Sequence, residues 1–192
     1  MLKKTNLSSP AALDILRDIK VNSHEMLHGM IEEDSVNILS KLQQADCSFM
    51  HDDAQRFILI QYLSFQFLRT KKQKRAFESA KFPDPPEAIG NVNYSRLWGA
   101  MMVFAAMHSA LGIYAHPKRY YLKILENKTG VRFITGDQPV INLLASYSPT
   151  VETKRMEFYH PVSPSVAVVL TNNIPENCKT QIKSLSRIFL TL

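Results

Sequence analysis

Cysteine is scarce in this chain: it has two, Cys47 and Cys178, far apart and in no metal-like pair. That excludes a disulfide framework and a cysteine-based zinc site, and it fits a reducing compartment. A secretory leader is also missing from the opening residues, where Leu2-Lys3-Lys4 runs into Thr5, Asn6 and Ser8 with no apolar stretch before Pro10. A cytoplasmic protein is therefore expected, with a silent Asn127-Lys128-Thr129 sequon. Internal repeats and low-complexity tracts are lacking too, which excludes solenoids and arrays. Formal charge is absent from Leu97 to Ala115. His108 and Ser109 near the middle of that run, its two glycines and its weakly apolar alanines argue against a membrane span. A buried core helix is expected there, and no membrane partner.

What is present is ordinary for a globular protein: 45% hydrophobic and 21% charged residues, enough to build a packed core and too apolar for disorder. With 192 residues the chain should form a single domain over 1–192. The net charge of +6 is spread along the sequence and selects no partner by itself.

Local patterns predict the α+β class. Ser9-Pro10 opens a short helix over Ala11 to Lys20, since Ser caps orphan amides and Pro suits the first helical position. A second helix is expected from about Ser23 to Gln44, with Ile31, Ile38, Leu39 and Leu42 at helical spacing. Asp52 with Gln55 resembles a capping box, opening a helix from about Asp53 to Lys72 that is apolar almost all round and belongs in the core. Prolines between Lys81 and Pro86 form a loop before another helix, about Tyr94 to Tyr114. The period then changes. Tyr120 to Leu125 and Val131 to Thr135 flank Glu126-Asn127-Lys128-Thr129-Gly130 and read as a β-hairpin, with a further strand at Val166 to Leu170. These patterns imply a mainly helical layer over about 9–115, a small antiparallel sheet over about 119–171 (the hairpin plus one or two strands), and a C-terminal helix over about 175–192.

Three constellations carry chemistry. His24-Glu25-Met26-Leu27-His28 is an H-E-x-x-H pattern: on a helix both imidazoles share a face and can chelate zinc, while Glu25 can act as base on a metal-bound water. The metzincin continuation is absent, because Ile31 and Asp34 stand where glycine and histidine belong. A third ligand would have to come from His51, Asp52 or Glu78, and their spacing selects none of them. Two ordinary surface histidines are the plainer explanation. The second constellation is Tyr62, Gln66 and Arg69, one polar stripe on an apolar helix. A guanidinium there needs an anion, and Asp137, where an apolar strand ends in Gly136-Asp137-Gln138-Pro139, is the expected partner. Such a pair can fix the helix on the hairpin or serve a ligand.

The third is Lys71-Lys72-Gln73-Lys74-Arg75, a basic run expected to end the core helix, where cations suit the negative helix end, and open to phosphates as an alternative. Asp137 with Glu152-x-Lys154 imitates a metal-dependent nuclease signature, though Glu126-Asn127-Lys128 shows how readily that triplet arises. His160 reads as incidental, and Ser163 between prolines as a turn residue.

Phe133-x-Thr135-x-Asp137-x-Pro139-Val140 and Tyr159-x-Pro161-Val162-Ser163-Pro164, preceded by Gln66-x-x-Arg69-Thr70, resemble a bacterial domain family of unknown function. Its members show F-x-T-S-D-N-P-V and Y-x-P-L-S-P after an N-terminal H-x-V-P-x-x-Y-L segment. The resemblance spans roughly residues 30–172 and implies an intracellular bacterial protein, here an N-terminally shortened member or a fragment. Gly136 stands for the usual Ser and Gln138 for the usual Asn, so a function needing that hydroxyl would be lost.

Together these readings predict a binding or regulatory domain, without a cofactor, whose polar site gathers Gln66, Arg69, Thr135 and Asp137 at the helix–hairpin junction. The alternatives are a zinc hydrolase using His24, Glu25 and His28, and a nucleic-acid-binding or nuclease-like protein using Lys71, Lys72, Lys74 and Arg75. Whether the chain is an enzyme stays open at the level of sequence.

Overall fold

The computed structural model describes residues 10–80, 94–147, 155–172 and 189–191, with side chains described at 25–80, 97–145 and 155–172. The architecture is α+β, with helices in the first part and a sheet in the second. Helix α1 runs unbroken over Pro10–Gln43, where two helices were expected. Neither Pro nor Gly occurs between Lys20 and Ser23, so nothing there interrupts the backbone ladder. Its inner stripe is Ile31, Ser35, Ile38 and Leu42, all buried, and Ala45 ends it in the left-handed region at φ 56°.

After a 3-10 turn over Ser48–His51, helix α2 occupies Asp53–Leu68. Asp52 caps it as the sequence predicts, accepting from the amides of Ala54 and Gln55, while Gln55 Nε2 returns a bond of 3.3 Å to Asp52 Oδ2. Those bonds hold the Asp52 carboxyl below its ordinary range. Helix α2 is the centre of the molecule, with Leu59, Leu63 and Phe65 almost fully buried. It ends four residues before the expected limit, at Leu68, and Thr70 caps a separate helix α3 over Lys71–Ser79. The basic run therefore opens α3 instead of closing α2.

Helix α4, Tyr94–Tyr114, has the predicted bounds and packs along α2 through Met102, Ala106, Ala110 and Ile113. By length and composition it could cross a membrane. The expected buried core helix is buried on this face only, since Leu97, Met101, Phe104 and Leu111 on its other face are exposed.

The strands are β1 (Tyr121–Glu126), β2 (Ile141–Asn142), β3 (Glu157–Pro161), β4 (Val166–Thr171) and β5 (Phe189–Thr191), with a short helix α5 at Leu143–Tyr147. They form one sheet in the order β2-β3-β4-β1-β5, antiparallel except for the β1–β5 pair. Strand β4 is buried at every position, as expected of a central strand with both neighbours paired.

The predicted hairpin is not formed. Strand β1 pairs with β4, Ile124 opposite Val168, and residues 131–135 are not a strand. The Asn127 side-chain oxygen accepts from the Thr129 backbone N–H at 2.9 Å and the Asn127 backbone N–H donates to Ser165 O at 2.8 Å, while Phe133 N donates to Pro164 O at 2.9 Å. The chain thus turns toward the tip of the real hairpin, β3–β4, leaving Val131 and Ile134 exposed. At that tip Ser163 Oγ accepts from Val166 N at 3.0 Å, the turn role its sequence context predicts. The C-terminal helix is corrected at residues 189–191, which form β5; its remaining residues from 175 lie outside the described set, as do the proline loop and Glu152-x-Lys154.

Candidate functional site

The polar stripe of α2 does find a carboxylate, and it belongs to α1. Gln66 Nε2 donates to Glu32 Oε1 at 2.9 Å, and Arg69 makes a salt bridge to the same oxygen. The expected Arg69–Asp137 pair is therefore corrected: the guanidinium is neutralised by Glu32. Helix α1 packs on α2, and Glu32, one turn beyond His28, meets the end of α2, whereas Asp137 sits on an exposed segment. With Oε1 taken by two donors, Oε2 of Glu32 has no donor among the described residues. Tyr62, one turn back on the stripe, is buried. Burial first, and then the Glu32 charge, raises its phenol above the usual value, with Arg69 opposing.

This pair borders a cleft of about 530 Å³ lined by Glu25, His28, Gly29, Glu32, Arg69, Lys74, Trp98, Gly99 and Met102. Glu25, His28, Gly29 and Glu32 fall at helical spacing on one face of α1. Gly29 meets no atom within 4 Å of an added Cβ, so the floor is open there. Trp98, packed on Phe77 at 5.3 Å between centroids, supplies an aromatic wall, and Lys74 reaches Glu78 at 4.0 Å.

The H-E-x-x-H pattern enters the same cleft through Glu25 and His28. The His28 ring is buried and meets Phe65 edge-on, 5.4 Å between centroids, a packed histidine where a surface one was expected. The His24 side chain lies outside the described residues. Among those described, no three His, Cys, Asp or Glu side chains gather as a metal ion requires.

Thr135 and Asp137 are exposed on the segment that follows β1. Asp137 lines a second, smaller cleft with Thr70, Lys71, Lys72, Arg75 and Gln138. The segment is fixed by a residue that sequence reasoning took as incidental. His160 is buried on β3, and its Nδ1 lies 2.9 Å from Pro139 O. A carbonyl can only accept, so Nδ1 carries the proton. The same ring meets Tyr62 edge-on at 5.6 Å, tying α2, β3 and the Pro139 segment together. Burial lowers the His160 pKa, and the bond to Pro139 opposes that only in part. The available signal was the alternation of Glu157 to Pro161, which places Phe158 and His160 on the inner face.

A family model described as "Protein of unknown function (DUF4238)" matches residues 16–188. No curated protein matches the chain, and no solved structure does.

Proposed function

Because the chain belongs to the DUF4238 family over residues 16–188, whose function is unassigned, we propose that it is a binding domain for a small zwitterionic molecule such as an amino acid or short peptide. The site is the larger cleft, between α1, α3 and α4. One observation carries this reading: Gln66 and Arg69 fix the same oxygen of Glu32, which leaves Oε2 as a preoriented acceptor at the edge of a cleft with an aromatic wall. Donors and acceptors then stand within one small volume. Arg69 and Lys74 suit a carboxylate, Glu25 and Glu32 suit an ammonium, and Trp98 covers an apolar or planar portion.

The cleft volume of about 530 Å³ lies within the range of small-molecule sites, about 300–1,000 Å³. The test is a thermal-shift screen of the free amino acids and simple dipeptides. A hit should raise the melting temperature of the wild type, and Arg69→Met should abolish the shift while keeping the unliganded melting temperature. A hit that persists in Arg69→Met contradicts the assignment.

A further inference from the structure

The smaller cleft, about 410 Å³, uses none of the residues of the first. Three of its lining residues, Lys71, Lys72 and Arg75, are exposed cations from the first turns of α3. Among the described residues none of the three has a carboxylate within salt-bridge distance, and Asp137 lines the same cleft without closing on any of them. The placement is electrostatically costly. At the end of α2 the run would be neutralised by the helix dipole, but it opens α3, whose first turn contains no acidic residue. Like charges gathered against a local preference, around a cavity, mark a place where an anion relieves the repulsion.

The opposite wall narrows the anion. Asp137 and Gln138 belong to the segment that the Pro139–His160 bond anchors to β3, opposite the cations of α3. A carboxylate in the cleft repels a continuous polyanion and accepts a hydrogen bond from a neutral hydroxyl. We propose that this cleft binds a small phosphate monoester, with Lys71, Lys72 and Arg75 on the phosphate and Asp137 accepting from a hydroxyl of the esterified group. Nucleic acid fits less well, because its backbone wants a basic track longer than this one pocket and free of carboxylates.

The experiment is calorimetric titration of the full chain at low salt with inorganic phosphate, glucose 6-phosphate, adenosine monophosphate and a single-stranded oligonucleotide. At least one monoester should bind more tightly than inorganic phosphate. The double variant Lys71→Ala, Lys72→Ala should weaken it about tenfold or more, as expected for loss of charge-assisted bonds. Asp137→Ala, which removes the acceptor, should remove the preference of the monoester over inorganic phosphate while retaining phosphate binding. Both variants change exposed side chains, and their circular dichroism should match the wild type. Binding of neither monoester, or tighter binding of the oligonucleotide than of both, overturns the proposal. Failure here leaves the zwitterion site untouched, because the two clefts share no residue.

Discussion

His160 shows how a single side chain ties the Pro139 segment to the core. Its neutral ring donates to Pro139 O and packs on Tyr62, and its pKa is lowered chiefly by burial. The unfolded chain therefore takes up the proton more readily than the native one. The stability this ring contributes is complete above the unfolded value, about 6.5, and is lost as pH falls toward the folded value. Urea unfolding of the wild type should show a lower free energy at about pH 5.5 than at about pH 7.5, with a smaller difference in His160→Gln. Equal differences in the two proteins would contradict the role given to the ring. At this scale the sequence was half legible. It announced that Gln66 and Arg69 need a carboxylate, because polar groups on an apolar helix demand partners. It did not say which one. Glu32 lies 37 residues from Arg69, and only the packing of α1 on α2 brings them together. That bridge is partly exposed, so its value lies in orienting Glu32 more than in stability.

Elements with strong local signals were read correctly: the Asp52 cap, the bounds of α4 and the buried β4. The break between α2 and α3 was missed because Arg, Lys and Gln are good helix formers and no Pro or Gly marks the boundary. Its only local sign is Thr70, whose Oγ1 accepts from Gln73 N at 3.4 Å. Thr70→Ala should therefore cost about 0.5–1 kcal/mol, the low end for a lost helix cap, and Thr70→Ser should restore most of it in urea titrations. A neutral Thr70→Ala would mean that the break is held by tertiary contacts alone. The hairpin failed for a different reason. Alternation at residues 131–135 and the turn residues before them were real signals, but pairing is decided by which strand competes for the same edge. Strand β4, apolar at almost every position, takes the edge of β1.

Across the whole molecule, the apolar residues of α1, α2, α4, β1, β3 and β4 form one continuous core, and α2 is its axis. The α+β class was legible because it depends on where helical period gives way to alternation, which the sequence displays near Tyr120. The clefts were not legible, because each is walled by elements distant in sequence: Glu25, Arg69 and Trp98 in one, Lys71 and Asp137 in the other. Two patterns that competed in the sequence meet at a single depression, which Glu25 and His28 of the H-E-x-x-H pentad line and the Gln66–Arg69 stripe borders.

Trp98 is the one tryptophan of the chain and stands in the wall of that depression, so its emission reports on the cleft without a label. Titrating wild-type protein with the free amino acids while following Trp98 emission measures occupancy directly. A saturable change with at least one of them, absent in Arg69→Met and in Glu32→Gln, is the predicted result. Emission that stays constant throughout, or a change that survives both substitutions, would contradict a ligand site built on Glu32.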